Sequence, residues 1–142
     1  MQRSSRLWTV IGAFDFFGTV PTNVRWAWSA RSLDGKTIAV TWWKEEIARD
    51  SNGKLVWDTR NHPRLPEWER RIGNRDRIKN LAWARDHCDG LFRVVWCKAA
   101  NLAARIPKAI ERYPDKDLWM RLDPHCLNER TGEFFAQEVE HA

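Results

Sequence analysis

Trp26, Trp28 and Trp43, with Arg25 and Arg31 interleaved, are the residues of this chain best equipped to bind something. Indole rings offer flat faces on which a nucleobase stacks, worth roughly 1–3 kcal/mol per base. Guanidinium groups beside them can hold phosphates. The competing structural reading is a cross-strand aromatic cluster inside a core, worth about 0.2–1 kcal/mol per pair. A second basic group, Arg70, Arg71, Arg75, Arg77 and Lys79, could line a groove that follows a sugar–phosphate backbone. Its ordinary explanation is a solvated helix face, partly neutralised by Glu67, Glu69 and Asp76.

Other chemistry has weaker support. His87-Cys88, Cys97 and His125-Cys126 are soft metal ligands in three segments, but their spacing matches no zinc knuckle. Cys126 beside His125 and near Asp123 has the parts of a nucleophilic site, yet adjacent side chains rarely aim at each other. Glu45, Glu46 and Asp58 could hold Mg²⁺, and a small hydrolase or nuclease would use these or His62. No Gly-rich phosphate loop is present. No metal or cofactor is expected.

The elements that must position these residues begin with a hairpin. Val24 to Lys44 reads as two strands joined at Asp34-Gly35, a strong two-residue turn signal. That turn sets Leu33 against Lys36, Ala30 against Ala39, Trp28 against Thr41 and Trp26 against Trp43. Alternation then places Trp26, Trp28 and Trp43 on one face. Arg25, Ser29, Arg31 and Lys44 share the other face with Ile38, Val40 and Trp42.

Along the rest of the chain, Leu7 to Ala13 is expected to be the first strand. Asp50 to Gly53 is a turn cluster, and Leu55 to Trp57 a short strand. Pro63 and Pro66 mark an irregular loop, and Glu67 to Ile72 suits one helical turn. Asn74 to Cys88 is the clearest helix, with Asn74 as N-cap and Asp89-Gly90 as stop. Ile78, Leu81, Ala82 and Cys88 would face the core, leaving Arg75, Arg77, Lys79 and Asn80 exposed; Trp83 should touch His87. Leu91 to Lys98 reads as a central strand. A second helix is expected from Asn101, with Pro107 near its start and Ile106, Ile110 and Tyr113 on its buried edge. Asp117 to Asp123 and Glu133 to Glu140 form a second hairpin, tipped by Asn128 to Gly132, with Leu118, Met120 and Leu122 inward.

The chain has 142 residues, enough for one domain with its own core. Ten tryptophans are too many to assign comfortably to that core alone. The net charge of +5 favours polyanionic partners, without requiring them. Three cysteines without a CxxC pair argue against a secreted disulfide framework and for a reducing, cytoplasmic setting. Asp15 interrupts the apolar run after Arg6, so that run does not read as a signal peptide, and no stretch is long enough to span a membrane.

Residues 1–142 are therefore expected to form a single α+β domain: a mostly antiparallel sheet, or a small partly open β-barrel, with two helices. This order of elements is similar to that of the PUA-like barrels, a group that includes EVE, YTH and SRA domains. The resemblance implies a base, often modified, taken into an aromatic-lined pocket. The expected function is non-enzymatic binding of DNA or RNA. A base, modified or flipped, would stack on Trp26, Trp28 and Trp43, with backbone contacts from Arg25, Arg31, Arg71, Arg75, Arg77 and Lys79. A separate effector protein would then act on what is bound. The alternatives are a small metal-dependent hydrolase or nuclease, and a protein–protein interaction module whose tryptophans and arginines are contact hot spots.

Overall fold

The computed structural model describes residues 6–24, 27–68, 71–104 and 108–140. It is an α+β fold built on an open, mixed sheet of nine strands, mostly antiparallel and not closed into a barrel. The expected hairpin forms as β2 (Ser29–Ser32) and β3 (Ile38–Trp43), with Ala30 opposite Ala39 as the sequence predicts. Thr41 N–H donates to Trp28 O at 2.9 Å, so that pairing holds too. The turn itself is one step earlier than expected. Gly35 N–H donates to Ser32 O at 3.0 Å, bending the chain at Leu33-Asp34. Gly35 follows at φ +72°, a conformation that favours glycine.

β3 runs parallel to β6 (Leu91–Ala99), and β6 is the strand at which the sheet forks. Its first residues pair with β8 (Trp119–Leu122), its later ones with β7 (Ala109–Pro114). From β8 the sheet continues through β9 (Phe135–Val139) and β5 (Leu55–Asp58) to the short β4 (Ala48–Arg49). At the other end, β1 (Thr19–Val20) pairs with β2. Between β3 and β6 the chain makes β4, β5, the short α2 (Leu65–Trp68) and the long α3 (Ile72–His87).

Alternation along β3 and β6 sorts their side chains between two cores. Ile38, Val40 and Trp42 join Phe92, Val94 and Trp96 beneath Leu81 and Ala84 of α3. Ala39 and Val95 point the other way, onto Ala13 and Phe14. The larger core is centred on a stack of three indoles. Trp42 and Trp57 lie 4.5 Å apart with 3° between their planes, and Trp96 covers the other contact at 4.9 Å. Such pairs add about 0.5–1.5 kcal/mol beyond the area they bury. Trp96 Nε1 donates to Asp115 Oδ2 at 2.8 Å. Trp42 Nε1 is buried without an acceptor among the described residues, which costs about 1–3 kcal/mol.

Two segments depart from the expected secondary structure. Val10–Asp15 is a helix, α1, where a strand over Leu7 to Ala13 was expected. The run is apolar at both periods, and Thr9 Oγ1 decides the outcome by capping Gly12 N–H at 3.0 Å. The helix expected from Asn101 is instead β7, which pairs with the free edge of β6. A long-range partner overrides local spacing there; Ile106 and Pro107 lie outside the described residues. β7 in turn is covered by a bridge to Leu7, with Trp8 N–H donating to Arg112 O at 2.7 Å. Among the described residues, no helix is long and apolar enough to cross a membrane.

Candidate functional site

Helix α3 starts at Ile72, so Asn74 is not its cap; Arg71 holds that position, and its side chain does not cap the helix. Asn74 is instead fully buried, and its Nδ2 donates to Thr131 O at 2.9 Å. Nor is Arg77 exposed, contrary to its expected place on the solvent face: only 8% of its surface is accessible. Asn80 is buried as well, donating to Ser29 Oγ at 2.7 Å. The inward face of α3 is thus part polar, because β2 presents Ser29 and Arg31 to it rather than an apolar row.

Arg77 sits in an aromatic enclosure. Its Cζ lies 5.1 Å from the Trp28 ring centre, 5.3 Å from Phe134 and 5.9 Å from Trp57. Nη2 donates to Asn74 Oδ1 at 3.3 Å. Burial pulls the guanidinium down to about 10, opposed by the charge of the Glu46 carboxylate. It therefore stays a cation at neutral pH, stabilised by ring faces.

Trp28 is half-buried at the first turn of α3. Gly73 makes that approach possible: a Cβ there would lie 2.4 Å from Trp28 Cδ1. Gly73 and Arg77 are one helical turn apart and meet the indole from the same side. Among the described residues, Arg77 is the cation packed on this ring.

Glu46 belongs to a short turn that follows β3 directly, at the carboxyl end of the parallel pair β3–β6. Its Oε1 is 3.4 Å from His62 Nε2, with both side chains partly accessible. His62 Nδ1 accepts the Arg64 N–H at 3.0 Å, which assigns the ring proton to Nε2, facing Glu46. The crevice outside the carboxyl ends of parallel strands, beside a helix N-terminus, is where open sheets commonly bind ligands.

The other candidates are dispersed. Trp43 is half-buried on the face of β3 opposite Trp42, away from α3, so Trp28 and Trp43 do not share a face. Trp28 precedes β2, where strict alternation does not apply, and turns onto the helix instead. Arg31 is engaged further along α3, with Nε donating to Asn80 Oδ1 at 3.1 Å and Cζ 4.2 Å from the Trp83 ring. Trp83 and His87 do touch, at 4.0 Å. Arg75 and Lys79 are exposed on the outer side of α3, and Arg71 Nε donates to Glu67 O at 3.1 Å. Arg25, Trp26 and Arg70 lie outside the described residues.

The acidic candidates are each engaged separately. Glu45 Oε2 accepts Ala99 N–H at 2.8 Å, and Asp58 pairs with Arg60 at 2.9 Å. Among the described residues no group of three or more His, Cys, Asp or Glu is placed to hold a metal ion. Burial pushes the Cys97 thiol up to about 11, and raises Cys88 and Cys126 as well. Comparison with known proteins gives no match: no family model, curated protein or solved structure aligns significantly with the chain.

Proposed function

We propose that this protein binds a nucleic-acid strand, with one base stacked on the outer face of Trp28. The observation that carries this reading is a partly accessible indole packed against a buried arginine. A ring fixed on one side by Gly73 and Arg77 would offer its accessible part at little entropic cost. Phosphates flanking the stacked base would meet the N-terminal end of α3. That end has no acidic residue in its first turn and carries the positive end of the helix dipole. Arg71, Arg75 and Lys79 recur every four residues, so they form a stripe along the outer side of the helix. The strand would bend around the end of α3, from Trp28 on the sheet side to this stripe.

Trp43 and Arg31 fall outside that path, and Arg77 acts as the support of the ring rather than as a phosphate contact. Titration with short DNA and RNA single strands at several salt concentrations tests the reading. The expected result is quenched tryptophan emission and an affinity that falls with salt, with a log–log slope of about −0.7 for each phosphate engaged. Unchanged emission and no saturable binding at low salt would remove it.

One observation favours a protein-docking surface as a second reading. Leu7, Ile11 and Phe16 are 52%, 56% and 50% exposed along the α1 segment. Association that survives high salt and is lost on Ile11→Asp would support it.

A further inference from the structure

The face of the sheet opposite α3 carries a continuous line of rings. Trp8 meets Phe16 at 5.8 Å and Phe16 meets Phe17 at 5.2 Å, both close to edge-on. The Arg93 guanidinium then lies 4.6 Å from the Phe17 ring and 4.1 Å from Trp119. Trp8 and Phe17 pack on the smaller core, between α1 and the sheet. Arg93 and Trp119 alternate with residues of the larger core, so they point to this same side. Phe16 is 50% exposed, and the other four are partly accessible. Aromatic residues and arginine in such a cluster are the usual anchors of protein interfaces.

The line is firmly held. Trp8 N–H donates to Arg112 O at 2.7 Å, and Arg112 Nη1 donates to Trp8 O at 3.1 Å. Arg93 straps the turn between β7 and β8, donating to Lys116 O at 2.7 Å and to Leu118 O at 3.1 Å. Asp115 Oδ1 closes that turn by accepting the Asp117 and Leu118 N–H groups, each at 3.1 Å. Little ordering is left to be done on association. The ends of the line differ in charge. Asp15 adjoins Phe16 and shares a face of α1 with the exposed Ile11, four residues before it. At the Trp119 end Arg93 and Lys116 outweigh Asp117. Asp15 and Lys116 are both exposed, and neither makes an ion pair among the described residues.

Resting on the docking reading of the α1 segment, and independent of strand binding, we infer that this line is a two-fold interface with a second copy of the chain. In an isologous contact each end of the line meets the opposite end of its partner. Asp15 of one protomer then faces Lys116 of the other, and the reverse pair forms by symmetry. A second copy brings the same net charge of +5, which repels it from any face that is basic throughout. This face offers both signs, at opposite ends of an apolar line, so it carries its own complement. α3 lies on the other side of the sheet and stays accessible in the dimer.

The test is sedimentation equilibrium of the full chain over the micromolar range, with and without a short single strand. Wild-type protein alone is expected to show a reversible monomer–dimer equilibrium, weakened in Ile11→Asp. Asp15→Lys and Lys116→Asp should each weaken the dimer by about tenfold or more, since like charges then face each other at both ends. An equimolar mixture of these two variants should regain the wild-type dimer, because each charge again meets its opposite. That recovery also shows that both variants fold. Wild-type protein that stays monomeric overturns the self-pairing and leaves a different protein as the occupant of α1. A dimer unchanged by Ile11→Asp and by both reversals lies elsewhere, and overturns this interface together with the docking reading. A mixture no better than its components overturns the two-fold arrangement. Dimers seen only with the strand present overturn it as well, the strand then being the bridge.

Discussion

The Arg77 guanidinium lies 5.1 Å from the centre of the Trp28 ring, inside the protein, on a helix face that the sequence pattern would give to solvent. Holding this cation in the interior costs stability, as its depressed value of about 10 records. A base with a lowered folded value favours the unfolded chain while protonated. At neutral pH it is a constant cost, relieved only as pH rises past about 10 and the folded protein releases the proton first.

Arg77→Met, which keeps length without charge, should therefore raise stability at neutral pH by about 1–3 kcal/mol. The gap between variant and wild type should shrink above pH 10. Urea unfolding of both proteins at neutral and alkaline pH checks this. Oligonucleotide affinity should fall in the same variant, because the Trp28 ring loses its support. A gap that widens at alkaline pH would show that burial does not set the behaviour of Arg77.

The two tryptophans of the hairpin that can be compared should behave in opposite ways. Trp42 is fully buried between Trp57 and Trp96. Trp42→Ala should cost about 3–5 kcal/mol, as truncating a large core ring does. The near-ultraviolet circular dichroism of the coupled indoles should change with it. A loss under about 1 kcal/mol would mean the stack is not a structural centre.

Much of the frame was legible in residue types and spacing. The β2–β3 register follows from the Asp34-Gly35 signal, and β6 from an unbroken apolar run. The β8–β9 hairpin and the inward Leu118, Met120 and Leu122 follow from strict alternation. What was not legible depends on partners distant in sequence. The residues of β7 have helical spacing, yet the open edge of β6 claims them. Arg77 has the spacing of a solvent-facing residue, yet Trp28, Trp57 and Phe134 converge on it from three separate segments. The site was legible only as a list of tryptophans. Of these, Trp28 is the one packed on the first turn of α3, and the cue in the sequence was Gly73, a residue without a Cβ at the start of a long helix.

Gly73→Ala is accordingly a sensitive probe. Alanine would ordinarily stabilise a helix by about 1 kcal/mol over glycine. Here the new Cβ would fall 2.4 Å from the Trp28 ring and 2.5 Å from its next atom, so the ring must move. Overpacking of that kind costs about 1–3 kcal/mol. The expected outcome is a protein no more stable than wild type, with shifted tryptophan emission and weakened oligonucleotide binding. A gain of about 1 kcal/mol with unchanged emission would contradict the packing described.

The outer side of α3 should govern salt dependence and not base choice. Arg75→Glu combined with Lys79→Glu removes two exposed cations. The slope of log affinity against log salt for a single strand should become shallower by about 1.4, two phosphates at about 0.7 each. Relative affinities among short single strands of different base should stay the same. A slope unchanged from wild type would place the backbone elsewhere on the protein.

The most direct test is Trp28→Ala, titrated with a short single strand at low salt beside wild type, with urea unfolding of both as the control for folding. Affinity is expected to fall by about tenfold or more, the worth of one stacked base, while unfolding remains cooperative. Undiminished affinity in a folded Trp28→Ala protein would contradict the account at its centre.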